Sequence, residues 1–265
     1  MWFISAGQVV YSTVEGDRFY PELRGGEWEL AAHLHATWRS YIPPMHQIIA
    51  SLVQIMAFGE IARHLLTTLM RLLTGYLIAA VIAVSLGIIL GYFPFAHSLL
   101  ETSIELLRPM PSVAIIPVAI LFLGIGDGMI VAVTVYASIW PILINTIDGV
   151  KHIDPVLVQT CRVFGLGPWR LLRRVTLPAA SPSIVTGLRV SLAIALILVT
   201  TAEMIAGEKG VGFFILDAER PLRNSHMYAG IIVVSLLGYL LNRLFLLVEA
   251  RVMRWRKGMI AREEF

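Results

Sequence analysis

The chain has 265 residues, 57% of them hydrophobic and only 15% charged, with a mean hydropathy of +0.76 and a formal net charge of +3. A soluble globular domain is about 45–50% apolar and about a quarter charged, so this composition excludes an ordinary soluble domain, and the single cysteine, Cys161, excludes an intrachain disulfide. No interleaving of aromatic and basic residues accompanies the small Lys+Arg excess, so the partner that the charge implies is a lipid bilayer and not nucleic acid.

Residues 1–60 contain no apolar run near the ~20 residues that a spanning helix needs, and no signal peptide is expected there. Glu15, Asp17, Arg18, Glu22 and Arg24 interrupt them, and Gly25-Gly26 breaks any helix. Glu27–Trp38 and Met45–Phe58 read as short amphipathic helices separated by Pro43-Pro44, with Trp28 and Trp38 at interfacial depth. The region is thus a pair of amphipathic helices or a divergent first span.

Five spans follow within 61–256. Leu72–Phe93 has no charged residue, and its Gly87-Ile-Ile-Leu-Gly91 spacing either admits a close neighbouring helix or is merely tolerated. Ser98–Gly124 is broken by Pro109, Pro111 and Pro117, which predicts a loop or short helix over 98–110 and a span from near Ser112. Gly124–Gly128 has the glycine density of a phosphate loop but neither the preceding strand nor the following Lys-Ser/Thr, so it reads as a turn. Met129–Ile147, Ile184–Ala206 and Met227–Val248 complete the set. Between the third and fourth spans, the connection 148–180 carries Lys151, Arg162, Arg170, Arg173 and Arg174, and the tail carries Arg251, Arg254, Arg256, Lys257 and Arg262. Two spans separate these basic stretches, so they share a side, which the charge bias makes cytoplasmic. Parity then places residue 60, the 124–128 turn and the loop 207–225 outside, against the mild contrary signal of Arg63 and Arg71.

Inside the basic connection stands Gln159-Thr160-Cys161-Arg162-Val163-Phe164-Gly165, then nine residues, then Val175-Thr176-Leu177-Pro178. This resembles the Glu-Ala-Ala-x-x-x-Gly, nine residues, Ile-x-Leu-Pro signature of ABC importer permeases. Gly165, Leu177 and Pro178 match, Val175 is conservative, and Gln-Thr-Cys replaces Glu-Ala-Ala. Arg108-Pro109-Met110-Pro111, Phe122-Leu123-Gly124-Ile125-Gly126, Gly187-Leu188-Arg189, Ala202-Glu203-Met204 and Gly210-Val211-Gly212-Phe213 are similar to elements of the nitrate, aliphatic-sulfonate and taurine branch of these permeases. The branch has an apolar span ahead of a Trp-Glu pair; here Trp28-Glu29 is present but residues 1–26 are too polar for that span.

The resemblance implies an all-α polytopic bundle of the type I ABC importer permease kind, in a bacterial plasma membrane, with a cytoplasmic C-terminus. It implies that Gln159, Thr160, Cys161, Phe164, Gly165, Val175, Leu177 and Pro178 couple the chain to ABC ATPase subunits. The residues suit a docking helix: Pro155 fits a first turn and Gly165 a positive-φ stop. Further implied partners are a second permease copy or homologue and an external substrate-binding protein delivering a small oxyanion such as nitrate, a sulfonate or taurine. No cofactor is expected in this chain; ATP and Mg belong to the ATPase.

Glu203, Ser138, Asn145 and Thr200 are candidates for the translocation path, each with a competing structural use. Glu203 also reads as a partner of Lys209 or a local hydrogen-bond acceptor, and Thr201, Asn242 and Arg243 share the ambiguity. Arg189 reads as snorkelling to the surface ahead of touching solute. The rival class is an integral membrane enzyme or a polytopic assembly factor, for which no His-Glu-x-x-His, Gly-x-Ser-x-Gly or Cys-x-x-Cys speaks.

Overall fold

The computed structural model describes residues 3–5, 8–10, 13–15, 18–20, 41–57 and 59–253. The helix expected over Glu27–Trp38 and the tail 257–265 lie outside them. Two short antiparallel hairpins come first, β1 (Phe3–Ser5) with β2 (Gln8–Val10) and β3 (Thr13–Glu15) with β4 (Arg18–Tyr20). Everything described after residue 41 is helical or connects helices: α1 (Met45–Ala57), α2 (Glu60–Tyr92), α3 (Pro94–Leu107), α4 (Ile116–Leu123) and α5 (Asp127–Lys151), then α6 (Pro155–Val163), α7 (Pro168–Leu171), α8 (Leu177–Ala206), α9 (Val211–Glu219) and α10 (Asn224–Val252). Among the described residues, four helices are long and apolar enough to cross a membrane, and the bent pair of α3 with 112–123 makes a fifth crossing.

Proline placement explains the boundaries. α2 runs unbroken for 33 residues because no proline falls within it, and it stops where Phe93, held extended ahead of Pro94, starts α3. The helix begins at Glu60, well before the expected Leu72: a charge-free window hides the helical turns around Arg63 and Arg71, which the fold accommodates. Residues 98–107, expected as a loop or short helix, belong to α3, which ends ahead of Pro109 and Pro111. A 3-10 turn at Ser112–Ile115 then leads into α4 at an angle of 88° to α3. α7 continues into α8 through Leu172–Thr176, where the hydrogen bonding widens to the i→i+5 pattern.

Three helices form the core, with α2 and α8 each packed along α5. The α2 face that meets α5 is a row of small residues four apart: Gly75, Ala79, Ala83, Gly87 and Gly91, with both alanines fully buried. A Cβ on Gly87 would lie 2.6 Å from Thr146 Cβ, so the two backbones touch where that glycine permits it. The Gly87/Gly91 spacing thus serves packing inside the chain.

The ends of the three core helices fix the crossing pattern. Arg71, Asp127 and Glu203 meet at one end of the bundle, whereas Gly91, Tyr92, Val150, Lys151 and Thr176 surround one cavity at the other. Residues 94–123 therefore carry the chain from the second end back to the first. The Tyr136 hydroxyl donates to the Leu107 carbonyl at 3.0 Å, which sets the break between α3 and α4 level with the middle of α5. α10 contacts α1, α9 and α8 but leaves most of its apolar surface uncovered.

Substituting Gly87→Ile forces overpacking at a site with no slack, a change that costs about 1–3 kcal/mol. The apparent melting temperature in detergent is expected to fall by at least about 2 °C. Gly167→Ala, with open space around it and an ordinary φ of −64°, should leave it unchanged.

Candidate functional site

The motif-bearing segment stands at the basic end of the bundle. Asp154 caps α6, its Oδ1 accepting from the Val156 amide at 2.8 Å, and Pro155 occupies the first helical position. Gly165 closes the helix at φ 75°: its amide donates to the Arg162 carbonyl (2.9 Å), and the Leu166 amide donates to the Cys161 carbonyl (3.1 Å). These two bonds are a Schellman closure, which a residue with a Cβ adopts only under strain. Each end of α6 is thus terminated by its own sequence, and the helix stays nine residues long.

The helix stands off the bundle, and none of its residues is buried. Gln159 and Arg162 line a cavity of about 520 Å³ between α6 and the ends of α2 and α5. Val163 and Phe164 are 86% and 79% exposed, and Trp169, beyond the Gly165 turn, is 70% exposed. Thr160 is exposed, whereas Cys161, Val175, Leu177 and Pro178 are half-buried. Leu171, at 2% exposure, anchors the return to the membrane helix. No salt bridge engages Lys151, Arg162, Arg170, Arg173 or Arg174 among the described residues. The segment therefore offers apolar side chains framed by unpaired cations, on a helix with little else to hold it to the bundle.

Glu203 belongs to the opposite end and has a different role. Its carboxylate is fully buried, accepting from Arg71 Nη1 at 2.9 Å, from the Thr68 hydroxyl at 2.8 Å and from the Gly212 amide at 3.1 Å. Thr68 in turn accepts the Val211 amide at 2.9 Å, and the Gly210 amide donates to His64 Nδ1 at 3.0 Å. Arg71 also donates to the Lys209 carbonyl (2.7 Å) and, through Nε, to Asp127 Oδ1 (2.8 Å). The partner of Glu203 is thus Arg71, and Lys209 contributes its backbone carbonyl to that arginine and no side-chain ion pair among the described residues. Arg71 was visible in the sequence as a charge out of place; that misfit was its signal.

The other polar positions divide between packing and a cavity. Ser138 is fully buried between α5 and α8, its carbonyl accepting from the Ser191 hydroxyl at 2.8 Å. Thr200 and Thr201 donate back to the Leu196 and Ile197 carbonyls, each at 2.8 Å. Arg189 Nε donates to Asn242 Oδ1 at 3.3 Å, and Arg243 Nε donates to the Tyr239 hydroxyl at 3.0 Å. Asn145 lines a mid-depth cavity of about 350 Å³ together with Arg108, Ser112, Trp140 and Ile194.

Comparison with known proteins gives a consistent picture. Residues 83–254 match the family described as binding-protein-dependent transport system inner membrane component. The chain is 31% identical to the putative aliphatic sulfonates transport permease protein SsuC of Escherichia coli, over 89% of this chain and 90% of that one. It is 35% identical to the nitrate import permease protein NrtB of Leptolyngbya laminosa, over 70% of this chain and 66% of that one. In fold it is similar to a chain of the MetNI methionine ABC transporter in an inward-facing conformation, with a TM-score of 0.60 at 20% identity, covering 73% of this chain and 94% of that chain.

Removing one partner of a buried ion pair strands the other, which costs about 3–5 kcal/mol. Arg71→Met, which leaves the buried Glu203 without a cation, should therefore lower thermal stability in detergent more than Gly87→Ile does, and Glu203→Leu should cost less than Arg71→Met because Arg71 keeps Asp127 and the Lys209 carbonyl. In the double variant the two losses should fall short of additive by about 1–3 kcal/mol, the coupling expected of residues in one network.

Proposed function

The chain belongs to the family of binding-protein-dependent transport system inner membrane components and is a permease subunit of an ABC importer, and from that premise we propose that residues 155–178 are the surface through which a separate ATPase drives it. The observation that carries the reading is the exposure of Val163 and Phe164 at the closed end of a self-terminated helix, beside Trp169 and a set of unpaired cations. An exposed aromatic beside aliphatic neighbours is the type of anchor that fills a pocket on a partner. Positive charge gathered on this end supports its lying in the cytoplasm, with the C-terminus on the same side. ATP and Mg act in the ATPase, and this chain acts by changing shape. Partner closure selects one arrangement of the helices over another, which requires that the partner touch them differently in the two arrangements.

The rest of the assembly follows from the same premise. The uncovered apolar faces of α10 and of the α3–α4 pair fit lipid and a second permease copy or homologue, so that this chain supplies half of the path. An external binding protein delivers the solute at the end where Arg71 and Glu203 meet. The solute is a small oxyanion of the nitrate or sulfonate kind, a reading supported by the names of the relatives.

Phe164→Ala should reduce co-purification of the ATPase at least about tenfold, since truncating an interface anchor costs about 2 kcal/mol or more. Gly165→Ile, which forces a β-branched residue to positive φ, should do the same, while Gln159→Glu leaves assembly intact. Normal ATPase recovery with Phe164→Ala and Gly165→Ile would refute the docking assignment.

Cys161, the only cysteine and half-buried, provides the test of sidedness. A membrane-impermeant maleimide should label it in inverted vesicles and not in intact cells, and bound ATPase should slow the labelling. Labelling from the outside would reverse the topology.

A further inference from the structure

We propose that Arg108 is the anion-selecting cation of the translocation path, in a site at mid-depth where the bundle is deliberately broken. The inference rests on the chain being half of a transport path, but not on which oxyanion it carries.

Three observations converge on this residue. The first is depth. Leu107 is hydrogen-bonded through its carbonyl to Tyr136, in the middle of α5, and the cavity that Arg108 lines is walled by Trp140, Ile144 and Asn145 of α5 and Ile194 of α8. A guanidinium at that depth is costly in lipid and is retained where it faces water, a partner or a passing ion.

The second is the missing partner. Of the arginines in the membrane helices, Arg71 is held by Glu203 and Asp127, Arg189 by Asn242 and Arg243 by Tyr239, whereas Arg63 and Arg251 are exposed near the ends of α2 and α10, where a long side chain reaches the surface. Arg108 has neither a carboxylate nor a hydrogen-bond partner for its side chain among the described residues. It is the cation that the fold places at depth and leaves uncompensated.

The third is the character of the wall. No carboxylate lines the cavity; its polar side chains are Arg108, Ser112, Trp140 and Asn145. Arg108 and the Trp140 indole are donors only, and the Trp140 Nε1 hydrogen has no acceptor among the described residues. Asn145 Nδ2 is engaged by the Pro141 carbonyl at 2.8 Å. A cation with a spare N–H and a hydroxyl repels cations and offers hydrogen bonds to an oxyanion. The backbone agrees with this use. Pro109 and Pro111 interrupt the helix beside Arg108 and turn the chain through 88°, and irregular backbone at membrane depth is tolerated where it lines a water-filled cavity.

The test reads charge selectivity at the cavity without knowing the solute. In the complete transporter carrying Cys161→Ser, the cysteine introduced by Ser112→Cys is reacted with a sulfonate-bearing or a trimethylammonium-bearing methanethiosulfonate reagent. With Arg108 present the sulfonate reagent should be favoured, because a cleft lined by one sign of charge raises the arrival of the opposite sign by about tenfold or more. Arg108→Gln should abolish that preference, and Arg108→Lys should preserve it. ATPase co-purification, governed by the far end of the chain, should be unchanged in both variants. An unaltered ratio in Arg108→Gln, or no reaction with either reagent, would overturn the proposal. The solute reading is checked separately, by uptake of nitrate and of taurine into proteoliposomes holding the unmodified transporter. Absent uptake with preserved charge selectivity at position 112 removes the solute reading and leaves Arg108 standing.

Discussion

A carboxylate with no access to water must be compensated on every side, and the compensation of Glu203 organises one end of this molecule. Its partners come from α2 (Thr68 and Arg71) and from the start of α9 (the Gly212 amide), while Arg71 extends the network to Asp127 of α5 and to the Lys209 carbonyl. α2 cannot separate from α8 or from the start of α9 without leaving the buried carboxylate or its donors unmatched in an apolar surround, where the penalty is steep, and the exposed Asp127 ties α5 to the same arginine. The network therefore sets the register in which α2, α5 and α8 stand side by side. The small-residue face of α2 then allows them to approach closely along the rest of their length.

The opposite end is built on the contrary plan. Tyr92 and Lys151 end their helices there, and between Lys151 and Leu171 the chain lies against the ends of the bundle with none of the residues of α6 buried. What shapes this stretch is local: the Asp154 cap, the proline after it and the left-handed glycine at 165 hold α6 together without help from the core. A helix terminated by its own sequence can keep its form while its contacts with the bundle change. One end of the protein is thus tied by long-range polar contacts and the other is formed by short-range ones, and that asymmetry is what a driven membrane protein requires.

This division also governs what could be read from the sequence. Local features were legible because their causes are local: apolar runs gave the spans, the prolines at 109 and 111 gave the break before Ser112, and the Pro155–Gly165 frame gave the short helix of the basic connection. The spacing from Gln159 to Pro178 was informative for the same reason. Pairings were not legible. Arg71 and Glu203 lie 132 positions apart, and charge arithmetic saw in Arg71 only a violation of the positive-inside tendency, while it offered Glu203 the nearest cation in sequence, Lys209. Likewise Gly87 and Gly91 announced a close approach without naming α5 as the neighbour. The extent of α2 was misjudged because a hydropathy window rejects Arg71, although a buried carboxylate elsewhere in the fold makes that arginine acceptable.

The two arginines at 71 and 108 show why residue type underdetermines role in a membrane. Both lie in segments that cross the bundle, and both carry the same charge. Arg71 is 7% exposed, bonded to two carboxylates and a carbonyl, and so matched by fixed partners. Arg108 follows the last turn of α3, where two prolines prevent the helix from closing around it and where no acid among the described residues pairs with it. The bundle has spent its buried acid on the first arginine and supplies none for the second. A fold under selection for stability alone would treat both alike, by pairing or by replacement with an apolar residue, since a well-packed hydrophobic side chain is usually as good as a buried ion pair. Keeping one paired and one unpaired is intelligible when the paired one holds the frame and the unpaired one meets a charge that comes and goes.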